Sequence, residues 1–215
     1  MKESTQKEKV LKNIRDALVN SLEAPFDDVE QDGRVFNPVA ADSLDIEFAE
    51  AFSRANGRFV FCADMEELNL GLLALVREKR LENVYCGESH FKGLVGQLGI
   101  HGTEDSSLLA DCQAVISGCE ALVARTGSIL LSSRQGGGRK SIIESPLHIV
   151  IASTRQLLPD ISDAFRLMDG KYETGRPSMM TFVTGPSRTA DIEKKLVHGM
   201  HGPREVYLFL VDVSG

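Results

Sequence analysis

Met179-Met180-Thr181-Phe182-Val183-Thr184-Gly185-Pro186-Ser187-Arg188-Thr189-Ala190-Asp191-Ile192-Glu193 runs from a β-like stretch, through a small polar turn, into a segment with helical patterning. Residues 179–184 read as a strand, 189–200 as a helix and 205–212 as a last apolar strand. Ahead of them, 148–152 reads as a buried strand and 155–168 as a helix. The tail is thus expected to form a strand-helix-strand unit, whose loops fall at the carboxyl ends of parallel strands, where open α/β sheets hold ligands.

Working outward, the first part of the body alternates in the same way. Helical patterning over 43–55 precedes a strand at 58–62, a second helix covers 64–79, a strand 83–86 and a shorter helix 89–98. Three β-like runs follow at 114–117, 121–124 and 128–132, punctuated by Gly118 and Gly127, with no helix between them. A basic, glycine-rich loop at 134–141 leads into the strand at 148. The fold class is α/β: an open, mostly parallel sheet with helices on both faces, over 41–215.

Residues 1–40 read as an appendage: Val10, Leu11, Ile14, Ala17, Leu18 and Leu22 recur at helical spacing after a cap at Ser4 or Thr5, and an acidic connector runs from Pro25 to Pro38. This segment can dock on the body or on another subunit, which leaves room for an oligomer. The charge of −7, with 24 Lys and Arg against 31 Asp and Glu and no Trp, lacks the field that concentrates a protein on phosphate backbones, so nucleic acid is not expected as a partner. No apolar run reaches the ~18 residues of a membrane span, and the charged start carries no secretory pattern, so a cytoplasmic location is expected. Cys62, Cys86, Cys112 and Cys119 form no Cys-x-x-Cys pair and read as reduced, buried thiols rather than cluster ligands.

The chemistry concentrates in 184–193. Backbone N–H groups at a helix start point outward unpaired, so Thr184, Gly185, Ser187, Arg188 and Thr189 would cradle a phosphate or carboxylate, with Asp191 and Glu193 as partners of Arg188 or acceptors for a sugar hydroxyl. The same residues also read as an ordinary helix cap with its dipole complemented by acids. A nucleophile elbow is incomplete because Thr189 stands at the second glycine, and Gly136-Gly137-Gly138-Arg139-Lys140-Ser141 lacks the spacing of a phosphate-binding P-loop. His198 and His201, at the end of the expected helix, are too few ligands for a metal, and none is expected. His148 reads as a core histidine, while His90 and His101 carry no spacing signal.

Thr126-Gly127-Ser128 before one apolar strand, Pro146-Leu147-His148-Ile149-Val150 at another, the 184–193 turn and His198-Gly199-Met200-His201-Gly202-Pro203 together resemble the LUD-domain family of lactate-utilisation proteins, closest to its C-type members, over about 111–212. The resemblance implies a fold related to the group of sugar-phosphate isomerases, CoA transferases and formyltetrahydrofolate cyclo-ligases. It also implies a place in a bacterial system that oxidises L-lactate to pyruvate beside iron–sulfur partner subunits, which would hold the clusters while this chain carries no cofactor. The family's motif falls here on Thr126, Gly127, Ser128 (usually Thr in the family), Thr184, Gly185, Pro186, Ser187, Arg188, Thr189, Asp191, Glu193, His201, Gly202 and Pro203, and through it Thr126, Gly127, Ser128 and His201 join the turn residues as ligand-binding candidates. The expectation is a non-cluster subunit with an anion or nucleotide pocket at a helix N-terminus. The alternative is a stand-alone enzyme or binding protein for a phosphorylated or CoA-like small molecule, and the sequence leaves catalysis by this chain open.

Overall fold

The computed structural model describes residues 9, 12, 43–135, 138–173, 175–192, 195–198 and 202–213, and the chain divides into two units between Asn37 and Pro38. The helix expected over 4–22 and the connector over 25–38 lie outside the described residues, apart from Lys9 and Lys12. The elements from Leu44 onward belong to the second unit.

That unit opens with α1 (Leu44–Arg54), β1 (Arg58–Cys62), α2 (Met65–Lys79), β2 (Asn83–Tyr85), a 3-10 turn at Ser89–Phe91, α3 (Lys92–Gln97) and β3 (His101–Thr103). Asp64 starts α2 by accepting the backbone N–H groups of Glu66 and Glu67, both at 2.9 Å, and Arg80 ends it by turning left-handed at φ 51°. After a 3-10 segment at Ser106–Asp111 come β4 (Ala114–Ser117), β5 (Ala121–Val123) and β6 (Ser128–Ser132), with no helix between them. The remainder comprises α4 (Gly138–Ile143), β7 (Leu147–Ser153), β8 (Leu157–Leu158), α5 (Ile161–Lys171), β9 (Met180–Val183), β10 (Arg188–Ile192), β11 (Lys195–His198) and β12 (Glu205–Val211).

Six strands form one sheet in the order β1-β12-β7-β4-β2-β3, and every adjacent pair is parallel. Its central strands are apolar along their length because both faces are covered. On one face Leu68, Leu72, Leu75 and Val76 of α2 and Val95 of α3 pack against Ile116, Ile149, Ile151 and Phe209. On the other, Phe48 and Phe52 of α1 join Leu122, Ile129 and Leu131 over Val150, Val206, Leu208 and Leu210. Leu122, Ile129 and Leu131 come from a second sheet, ordered β8-β5-β6-β9, whose outer face carries Ala164 and Met168 of α5. Among the described residues, no helix is long and apolar enough to cross a membrane.

Two expectations are corrected. Of the residues expected as a helix over 189–200, the described ones, 189–192 and 195–198, instead belong to the antiparallel strands β10 and β11, with Arg188 opposite His198 and Thr189 opposite Val197. Thr189, Ile192 and Val197 are β-branched, and runs of four or five residues are too short for periodicity to separate strand from helix. Arg188 therefore begins a strand, and no helix N-terminus stands there to hold an anion. The simple strand-helix-strand tail is corrected as well. β7 and β12 are parallel neighbours, but the chain between them leaves the main sheet, and β9 pairs antiparallel with β6 in the second one. The glycine-rich segment after Arg134 contains the short helix α4 from Gly138, while Gly136 and Gly137 lie outside the described residues.

Candidate functional site

The described motif residues Gly127, Ser128, Thr184, Gly185, Ser187 and Arg188 converge on one place, beside the end of α1 and the amino end of β12. Ser128, which opens β6, and Thr184, which follows β9, join their hydroxyls at 2.6 Å. Gly127 at φ 59° and Gly185 at φ 77° lie against the end of α1: a side chain at Gly127 would run into the backbone of Ala51 and Phe52, and one at Gly185 into the Ala55 carbonyl. Arg188 donates from Nη2 to that same carbonyl at 2.9 Å, and the Ser187 N–H donates to the Pro203 carbonyl at 2.8 Å. These contacts make a junction of backbone and short side chains that ties the second sheet to α1 and to the start of β12. The side chains of Thr189 and Asp191, and Glu193 and His201 altogether, lie outside the described residues.

At the opposite, carboxyl end of the parallel strands is a cleft of about 670 Å³, lined by residues that follow β2 (Glu88, His90, Phe91), β4 (Gly118, Cys119, Glu120), β6 (Arg134, Gln135) and the end of α5 (Lys171, Tyr172). Parallel packing explains its position: the strands end together, and the loops that leave them wall a crevice. The volume is that of an ordinary small-molecule site.

Glu120 is the most constrained charge in the cleft. Its side chain is only 2% exposed, yet it takes three donors: the Lys171 ammonium at 2.6 Å on Oε2, and the Ser132 and Tyr172 hydroxyls at 2.5 and 2.9 Å on Oε1. Burial pushes its pKa up, and the hydrogen bonds from Lys171, Ser132 and Tyr172 outweigh that and hold the carboxyl below its ordinary value. A carboxylate saturated in this way is an anchor rather than a base. The bond to Glu120 raises the Lys171 pKa in turn, so the ammonium stays charged, and its side chain remains 52% exposed toward the cleft.

Ser132 extends the network. Its Oγ accepts the Arg134 backbone N–H at 3.1 Å, while the Gln135 side chain accepts the Ser132 N–H at 2.9 Å, so the turn that carries Arg134 is fixed. The Arg134 guanidinium donates to the Gly175 carbonyl at 3.2 Å and is otherwise exposed. On the β2 side, Glu88 is 12% exposed, accepts the Gly118 N–H at 2.9 Å and stands 3.7 Å from His90 Nε2. Cys119 also lines the cleft, but burial pushes its thiol far above the usual range, which removes it as a nucleophile. The other three cysteines are buried thiols, also raised first by burial. Among the described residues no group of three or more His, Cys, Asp or Glu side chains is placed to hold a metal ion.

Sequence reasoning missed Glu120, Lys171, Tyr172 and Glu88. The available signal was an acid two residues beyond an apolar strand and a glycine; its cation lies 51 positions away, beyond any spacing rule. His148 stands where the sequence places it, in the core at 1% exposure, with Nε2 2.8 Å from Ser117 Oγ.

A family model, described as the LUD domain, matches residues 100–211. "Lactate utilization protein C" of Deinococcus radiodurans is 32% identical over 99 residues, 46% of this chain and 46% of that protein. The protein of the same name from Oceanobacillus iheyensis is 31% identical over 113 residues, covering 52% and 48%, and that of Bacillus pumilus 38% over 93, covering 42% and 39%. The matched stretch thus spans less than half the length of each relative. A crystal structure of a DUF162 family protein from Deinococcus radiodurans has a TM-score of 0.61 at 18% identity, covering 81% of this chain and 99% of that one, which establishes a shared fold.

Proposed function

The chain belongs to the LUD-domain family, and on that premise we propose that it is a subunit, without clusters of its own, of a bacterial system that oxidises L-lactate to pyruvate, and that its carboxyl-end cleft holds an organic anion or a nucleotide. The observation that carries this reading is the likeness to proteins named for lactate utilisation, together with the LUD-domain match, whose residues 100–211 include Glu120, Arg134 and Lys171 of the cleft. The anion site moves from the Arg188 turn to the Lys171 wall. Removing two charges from water is costly, and a half-exposed ammonium already fixed by a buried carboxylate offers an anion a partner with little left to order. The iron–sulfur clusters and the electron transfer of the reaction belong in this reading to partner subunits. The stand-alone enzyme reading rested on Arg188 at a helix start and on the basic glycine loop; Arg188 begins a strand, and Gly136 and Gly137 of that loop lie outside the described residues.

The test is genetic and biochemical. A strain lacking the gene is expected to lose growth on L-lactate as sole carbon source, to regain it with the wild-type gene, and to yield iron- and sulfide-bearing proteins when the tagged full chain is purified from lactate-grown cells. Unchanged growth together with purification of the chain alone overturns the reading.

A further inference from the structure

We propose that the cleft takes a nucleoside diphosphate group, with its phosphates on Lys171 and Arg134, its ribose hydroxyls on Glu88 and its flat ring against His90 and Phe91. This deepens the reading of the cleft as the functional site of a lactate-oxidising subunit and rests on it.

Size gives the first argument. A three-carbon acid would leave most of about 670 Å³ to water, whereas that volume suits a ligand of nucleotide dimensions. Polarity gives the second, because the lining is divided. Lys171 and Arg134 stand on the side of the second sheet, one ending α5 and the other following β6, and both are exposed cations. The charge of the nearly buried carboxylate beneath Lys171 is offset by that ammonium, so the pair is neutral and presents the free N–H donors of Lys171 to an incoming phosphate, while Arg134 supplies the net positive charge. Glu88 stands on the other side, following β2, and is held by Gly118 at the end of β4. An acid there excludes phosphate, but its remaining lone pairs accept hydroxyl donors, and a ribose diol is the part of a nucleotide that supplies them.

The ring position gives the third argument. His90 and Phe91 lie with ring centroids 4.0 Å apart at the mouth of the same cleft, and the His90 side chain is 64% exposed. Exposed aromatic surface beside an acceptor suits a base stacked next to its ribose. ADP, NAD and coenzyme A share the nucleoside diphosphate group, so the chemistry is common to them and the experiment separates them.

Isothermal titration of the full-length protein would use ADP, NAD and coenzyme A in turn, with adenosine, inorganic pyrophosphate and L-lactate as comparisons. Saturable one-to-one binding of at least one of the three nucleotides is expected, at least tenfold tighter than adenosine or pyrophosphate alone. Arg134→Gln, at an exposed side chain, should weaken it about tenfold with the thermal midpoint unchanged. The double variant Glu120→Gln with Lys171→Met removes both partners of the buried pair together and should abolish binding in a folded protein. No nucleotide binding at millimolar concentration overturns the proposal, as does pyrophosphate binding as tightly as ADP, or nucleotide binding that neither variant changes. Nucleotide binding in a protein that purifies alone and whose gene is dispensable for growth on lactate keeps the cleft assignment and overturns the lactate reading. Loss of growth without nucleotide binding does the reverse.

Discussion

His148 enters the core of β7 with one ring nitrogen bonded and the other bare. Ser117 has a single hydroxyl proton, which it gives to the Gly118 carbonyl at 3.0 Å, so His148 Nε2 is the donor in its 2.8 Å contact with Ser117. Nδ1 is then an acceptor, buried and without a partner among the described residues. Burial in this apolar setting lowers the imidazole pKa from 6.5 to about 4. Between those values the unfolded chain binds a proton that the folded one refuses, so stability is full above 6.5 and falls as the pH drops. From pH 6.5 to 5 the loss is about 2 kcal/mol, taking roughly 1.4 kcal/mol per unit. Urea unfolding across that range should show this slope in the wild type, and His148→Gln, which cannot titrate, should flatten it. An equal slope in both proteins would assign the acid sensitivity elsewhere. The core position of His148 was legible because an apolar run surrounds it. The Glu120 network was not, because Ser132, Lys171 and Tyr172 meet it only through pairing of distant elements.

At the scale of elements, glycine marks the places where the backbone of one segment touches another. Gly127 combines a left-handed φ of 59° with backbone of α1 where its side chain would be, whereas Gly93, inside α3, has open space around it. Gly127→Ala is expected to cost at least about 3 kcal/mol, since strain of roughly 1–3 kcal/mol adds to a displaced helix end. Gly93→Ala should instead stabilise by up to about 1 kcal/mol through helix propensity. Urea midpoints read both, and a neutral Gly127→Ala would show that the junction can open without penalty. Thr184-Gly185 reads from its own residues as part of an anion cradle, and Thr126-Gly127-Ser128 is a ligand candidate only through the family resemblance; glycine and hydroxyl residues suit both a cradle and a tight junction. Only their position, at the amino ends of the strands, separates the two. The hairpin over 188–198 was read as a helix for a related reason: Asp191 and Glu193 look like first-turn acids, and the strand pairing that competes lies in the partner segment rather than in either run itself.

The two larger sheets of the second unit share one core between their facing sides, and that arrangement decides how the unit unfolds. Local pattern located most strands of both sheets, but it gave no strand at β3, ran the helix expected over 155–168 through β8, and assigned β9 to the parallel sheet, because nothing within Met180–Val183 tells a strand which neighbour it will meet. Leu208 of β12 is fully buried between Phe48, Phe52 and the inner face of the second sheet, so it belongs to both layers at once. Leu208→Ala should cost about 3 kcal/mol, from lost transfer energy and the cavity left behind. Because the cavity opens between the sheets, the loss should appear equally in the slowest-exchanging amides of β7 and of β6, read by native-state hydrogen exchange, with one urea transition. The alternative is a main sheet that loses protection while β6 keeps its own. That outcome would make the second sheet a separate folding unit, and the cleft, whose Lys171 and Arg134 wall belongs to one sheet and whose Glu88 wall belongs to the other, would then be only as rigid as the contact between them.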